Sequence, residues 1–91
     1  MATMYAVFAI GEGALDFKVF AHRPDANAYA TAAVRNVART ADVYRIDGVS
    51  DARAAKAALQ MGEGKFVEAH GQPATESERR EWLVDVLLHG G

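Results

Sequence analysis

Met4-Tyr5-Ala6-Val7-Phe8-Ala9-Ile10, then Gly11-Glu12-Gly13-Ala14, then Leu15-Asp16-Phe17-Lys18-Val19-Phe20-Ala21-His22, is the stretch on which the fold turns. Its first seven residues form an apolar run rich in residues that fit a pleated surface. The glycines that follow signal a turn. Beyond them Leu15, Phe17, Val19 and Ala21 alternate with Asp16, Lys18, Phe20 and His22, so the whole reads as a β-hairpin. A four-residue loop opposes Ile10 to Leu15, Phe8 to Phe17, Ala6 to Val19 and Met4 to Ala21. Opposed residues share a face, so the other face holds Ala9 with Asp16, Val7 with Lys18, and Tyr5 with Phe20. If helices cover only the first face, Tyr5, Val7 and Phe20 stand in water beside Lys18. Apolar clusters of this kind mark partner surfaces, which makes Tyr5, Val7, Lys18 and Phe20 the expected contact for a target or for a second copy in a homodimer. The alternative is that the last helix crosses to this face and buries it with Trp82, giving three layers.

Outward from the hairpin, Pro24 and Asp25 open a helix that the pattern extends to about Thr40. Ala26, Tyr29, Ala30, Ala33, Val34, Val37 and Ala41 form its apolar stripe. Asn27, Thr31, Arg35 and Arg39 lie opposite. Val43 to Asp47 reads as a third strand ended by Gly48. Ser50 is the expected cap of an alanine-rich helix that runs through Met61 and stops at Gly62. Lys65 to His70 reads as a short fourth strand broken by Gly71-Gln72-Pro73. Thr75 and Glu78 form a capping box for a last helix carrying Trp82, Leu83, Val86 and Leu87 on one side. The expected fold is α+β: a single, mostly antiparallel sheet of three to four strands with three helices, in the order β-β-α-β-α-β-α. Gly11-Glu12-Gly13 and Gly62-Glu63-Gly64 each precede a strand, a proline and a helix, an echo read first as the chance recurrence of Gly-rich turns before strands, with an internal duplication as the alternative.

A chain of 91 residues fits one small domain spanning residues 1–91. Of its hydrophobic residues 19 are alanine and 27 are larger, enough for a modest core that a partner would help to cover. The net charge of −2 provides no field for nucleic acid, so direct nucleic-acid binding is not expected. Arg35 and Arg39, one turn apart on an exposed helix face, are a secondary candidate surface, since such a row suits a phosphate backbone. The absence of cysteine removes disulfides, thiol nucleophiles and thiolate metal sites. The run from Met1 to Ile10 has no basic residue ahead of it and makes a poor signal peptide. No stretch is long enough to cross a bilayer, and the expected location is cytoplasmic.

Catalytic chemistry finds little purchase, and no enzyme activity, catalytic residue, metal or cofactor is expected. His22, His70 and His89 lack a second ligand at helical spacing. His22 and His70 both end strands, so adjacent second and fourth strands would bring them together as a metal or small-ligand site. Ser50 and Ser77 sit at helix starts rather than in a strained strand-to-helix elbow. Asp47 and Asp51 flank Gly48 as a carboxylate pair, a placement that helix starts also favour for dipole reasons.

Two resemblances follow. The hairpin, helix and strand, together with the ending Leu87-Leu88-His89-Gly90-Gly91, resemble β-grasp sulfur-carrier and ubiquitin-like proteins, which implies a carrier activated at its C-terminal Gly-Gly. That family reaches its tail through a strand, whereas this tail follows a capped helix. The architecture from Met4 to Asp47, ending in Val43-Tyr44-Arg45-Ile46-Asp47, resembles phage-encoded anti-CRISPR proteins. This resemblance implies a non-enzymatic, phage- or mobile-element-encoded inhibitor that binds a protein partner and occludes a bacterial defence (CRISPR-Cas) complex. It transfers no site residue, because those proteins share no diagnostic motif.

Overall fold

Alternation of apolar and polar residues in the hairpin produces the pairing on which the rest is assembled. In a computed structural model of the chain, which describes residues 2–11, 14–36, 38–72, 75, 77–81 and 84, β1 (Thr3–Gly11) and β2 (Ala14–Phe20) are antiparallel. The expected register holds from Ile10↔Leu15 to Tyr5↔Phe20 and gains Gly11↔Ala14. Met4 and Ala21 do not pair, because β2 ends at Phe20. Glu12 and Gly13 lie outside the described residues.

Helix α1 (Arg23–Asn36) carries the chain over the sheet to β3 (Thr40–Asp47). It stops about four residues earlier than its apolar stripe suggests. Thr40, Ala41 and Asp42 are claimed by the ladder with Ile10, Ala9 and Phe8, and Arg39 N–H donates to Ile10 O at 2.7 Å. Helix α2 (Ala52–Gln60) follows, capped by Asp51 rather than Ser50. The Asp51 carboxylate accepts from Ala54 N–H at 2.7 Å, satisfying one of the free amides of the first turn. Strand β4 (Lys65–Gly71) pairs with β3. A third helix, α3, includes residues 77–81 and 84. Its capping box forms as expected, with Glu78 N–H donating to Thr75 Oγ1 and Thr75 N–H to Glu78 Oε1, both at 3.1 Å.

The sheet runs β2-β1-β3-β4 with every neighbour antiparallel. Helices cover both faces, so there are three layers. On one side Ala26 and Ala30 of α1, both fully buried, pack on Val7, Ala9, Ala41 and Val43. Alanine lets the helix lie close to the strands, and the larger Tyr29 and Val34 pack around that contact. On the other side Ala55 and Leu59 of α2 pack on Ala6, Phe8, Ile10 and Ile46. Burying Phe8, Ile46, Val7 and Val43 contributes roughly 1.5–3 kcal/mol each.

Strand β4 carries a bulge. Val43 pairs with Glu68 and Tyr44 with Phe66, leaving Val67 as the extra residue. Val67 packs in the α1-side cluster, and Glu68, on the same side, meets Arg23 at the start of α1 at 3.2 Å. Gly71 follows with φ +87°, where a Cβ would come within 2.4 Å of Arg39 O.

The echo of Gly-Glu-Gly turns is not matched by a two-fold arrangement of the halves. β1 and β3 are antiparallel neighbours, so only a two-fold axis normal to the sheet could exchange the halves, and that axis keeps a helix on its own face. The helix after β2 lies on one face. The helix after β4 touches the other, through Arg79 on Phe66 and Asp42.

Candidate functional site

Tyr5, Val7, Lys18 and Phe20 do fall on one face, as Tyr5↔Phe20 and Val7↔Lys18. That face is covered, however. Val7 has 0% exposure beneath α1, and Tyr5 and Phe20 are half-buried in the same cluster. Phe20 meets Tyr29 of α1 with ring centres 5.4 Å apart. The expectation of an open apolar patch is therefore corrected, and Val7 is closed to any partner while α1 is in place. The cover among the described residues is α1; Trp82 lies outside them. Lys18 alone of the four is exposed, its Nζ 5.3 Å from the Tyr29 ring centre.

What remains accessible on the hairpin is the outer side of β2. This edge is seven residues long and contains neither proline nor a bulge. Phe17, Val19 and Phe20 are half-buried there, and Asp16 and Lys18 are exposed. Tyr29 Oη donates a hydrogen bond to Asp16 Oδ2, tying α1 to the strand. Burial first, then this bond and the Asp16 charge, push the Tyr29 hydroxyl up to about 12. On the α2 side the edge borders a groove of about 480 Å³ flanked by Arg53 and Lys56. On the α1 side a cavity of about 240 Å³ opens between Tyr29, Asp16, Asn36 and Ala9.

The opposite edge, β4, is protected. Its bulge breaks the ladder. Glu68 is held by Arg23 and stands 3.4 Å from His70 Nε2, and Arg79 lies 4.5 Å over Phe66. Natural sheets blunt edges in this way to prevent pairing with other chains. Edge β2 carries Asp16 and Lys18 as its exposed charges among the described residues.

Of the other candidate residues, Asp47 and Asp51 are engaged in structure. His22 and His70 do not share neighbouring strands, since β1 and β3 separate β2 from β4. No group of three metal-ligating side chains occurs among the described residues. Asp51 caps α2, and Asp47 accepts from Thr3 Oγ1 at 3.0 Å and Arg45 at 3.1 Å. Arg35 is exposed in α1, but Arg39 lies beyond its end with its backbone held between Ile10 and Gln72, so the two do not form a helical row. His89 and the Gly90-Gly91 tail lie outside the described residues.

Sequence reasoning overlooked one buried charge. Asp42 has 2% exposure. Its Oδ2 accepts from Arg79 Nε at 3.2 Å, while Oδ1 has no partner among the described residues. Burial raises its carboxyl above the ordinary value, and the Arg79 charge and hydrogen bond pull it back. Next to it a row of rings crosses all four strands: Phe17 to Phe8 at 4.9 Å, Phe8 to Tyr44 at 5.4 Å and Tyr44 to Phe66 at 5.7 Å. Arg79 closes the row. The signal available was an aspartate in phase with Tyr44 and Ile46 on the inward side of a strand. Asp42 is too enclosed to meet a substrate, and the group anchors α3 to the sheet.

No helix among the described residues is long and apolar enough to cross a membrane. Comparison with protein-family models, with curated proteins and with solved structures finds no match for this chain.

Proposed function

We propose that this chain is a non-enzymatic protein-binding domain that engages its partner through the outer edge of β2. The observation that carries this reading is the contrast between the two edges. Strand β4 is bulged and covered by charged side chains. Strand β2 is regular, and among the described residues no strand pairs with its outer side, which suits it to an added strand. The chemistry-bearing residues support the same reading, because Asp42, Asp47 and Asp51 all have structural partners. In its narrowest form, following the resemblance to anti-CRISPR proteins, the domain is an inhibitor that occludes a bacterial defence complex.

The test is affinity capture from bacterial lysates, one of them rich in a CRISPR surveillance complex, read by mass spectrometry. Wild-type protein should retain a stoichiometric protein partner and Lys18→Glu should release it. Equal retention by both would remove the β2 edge from the interface. An empty wild-type bait would remove the binding reading.

A further inference from the structure

We infer that the partner suited to the β2 edge is a second copy of this chain, paired antiparallel about Phe17; the inference rests on the edge-binding reading. Two copies related by a two-fold axis normal to the sheet keep each helix on its own face, so residues of like parity must oppose each other. Centred on Phe17, the axis places Phe17 opposite its own copy and Asp16 opposite the second copy's Lys18, twice. Asp16 and Lys18 are both exposed on the α1 side of the strand. Moving the axis to either neighbouring residue sets Asp16 against Asp16 or Lys18 against Lys18, and directly opposed like charges destabilise a sheet. The register is thus chosen by charge, and Lys18, which repels other strands, meets the second copy's Asp16 in this arrangement. Half-buried Phe17 and Val19 lose more water-exposed surface in the same step, and the four-stranded sheet becomes one of eight strands. Arg53 and Lys56 stand beside the edge on the α2 side, where long flexible stems let their charges turn to solvent.

The test is sedimentation of the purified chain over micromolar to near-millimolar concentration. Wild type should move from 9.8 kDa towards twice that mass. Asp16→Lys and Lys18→Asp should each stay monomeric. Mixed in equal amounts they should form a heterodimer, because every opposed pair is then of opposite sign. Tyr29→Phe, which removes only the Tyr29–Asp16 hydrogen bond, should dimerise like wild type; this separates the interface from the support of α1. A wild type that remains monomeric throughout, or variants that do not recover on mixing, overturns the inference. A monomer that still captures a lysate partner through Lys18 leaves the edge-binding reading standing. A dimer that captures nothing leaves only the self-pairing.

Discussion

Arg79 reaches back across 37 residues of chain to donate from Nε to Oδ2 of Asp42 at 3.2 Å. The two ends of this pair are unequally enclosed, with side-chain exposures of 24% for Arg79 and 3% for Asp42. Removing the arginine strands a charge that cannot reach water. Removing the acid frees a charge that can. Arg79→Ala should therefore cost about 3 kcal/mol, in the range for breaking a buried pair, and Asp42→Asn clearly less. Urea denaturation of both variants checks this, and equal losses would show that the pair does not anchor α3.

Asp42 also gives stability a pH dependence of unusual sign. Its folded-state carboxyl is raised above the ordinary 3.8, chiefly by burial. The folded protein thus holds this proton more tightly than the unfolded chain. The contribution is complete below the ordinary value and is lost as pH rises through the folded one. The stability of wild type relative to Asp42→Asn should fall across that window. Denaturant melts at a series of acidic pH values check it, and a difference that grows with pH would contradict the assignment.

Tyr29 should be among the last tyrosines to ionise, at about 12. Asp16→Ala should bring that step down but not back to 10, because burial is the larger cause and persists. Tyrosinate absorbance during alkaline titration reports it directly, with Tyr29→Phe identifying the step. Since the raised value favours the protonated hydroxyl, this stabilising contribution is present below pH 10 and is lost as pH rises through the folded value.

Two glycines with similar φ should respond differently to alanine. Gly48, at +77°, has nothing within 4 Å of a new Cβ, whereas at Gly71, at +87°, Arg39 O stands 2.4 Å away. Gly48→Ala bears conformational strain alone, about 1 kcal/mol. Gly71→Ala must also displace the backbone where β3 begins, and should cost at least about 2 kcal/mol. Thermal melts of the two variants side by side decide it.

Beneath α1 the helix approaches through alanines. Ala30→Leu should cost about 1–3 kcal/mol by overpacking, since leucine forms helix nearly as well as alanine and the loss is one of space. A stabilised variant would mean that the gap over Val7 and Val43 is wider than a methyl group requires.

The hairpin register was legible because alternation with period two admits one face assignment, and the two strands are adjacent in sequence. The capping box of Thr75 and Glu78 was legible for a similar reason: its partners are three residues apart. The end of α1 was not. Val34 through Ala41 continues a helical stripe, and only β1, distant in sequence, claims Thr40 to Asp42 for the sheet. The same remoteness misplaced the candidate site. Whether Tyr5, Val7 and Phe20 meet water depends on which face α1 crosses, and local pattern carries no information about that choice. The outer edge of β2 became a candidate only once the strand order was known.

The extra residue in β4 divides this chain's strands by how they respond to insertion and deletion. Losing one residue within β2 would turn everything beyond it to the opposite face, exchanging Phe17 and Val19 for charged neighbours. Losing Val67 would not, because every pair from Phe66 to Gly71 already skips it. Glu68 would still face Arg23 and His70 would keep its place beside Ala41. Sequence length is therefore negotiable by one residue at this point of the sheet, while the β2 edge admits no change of frame.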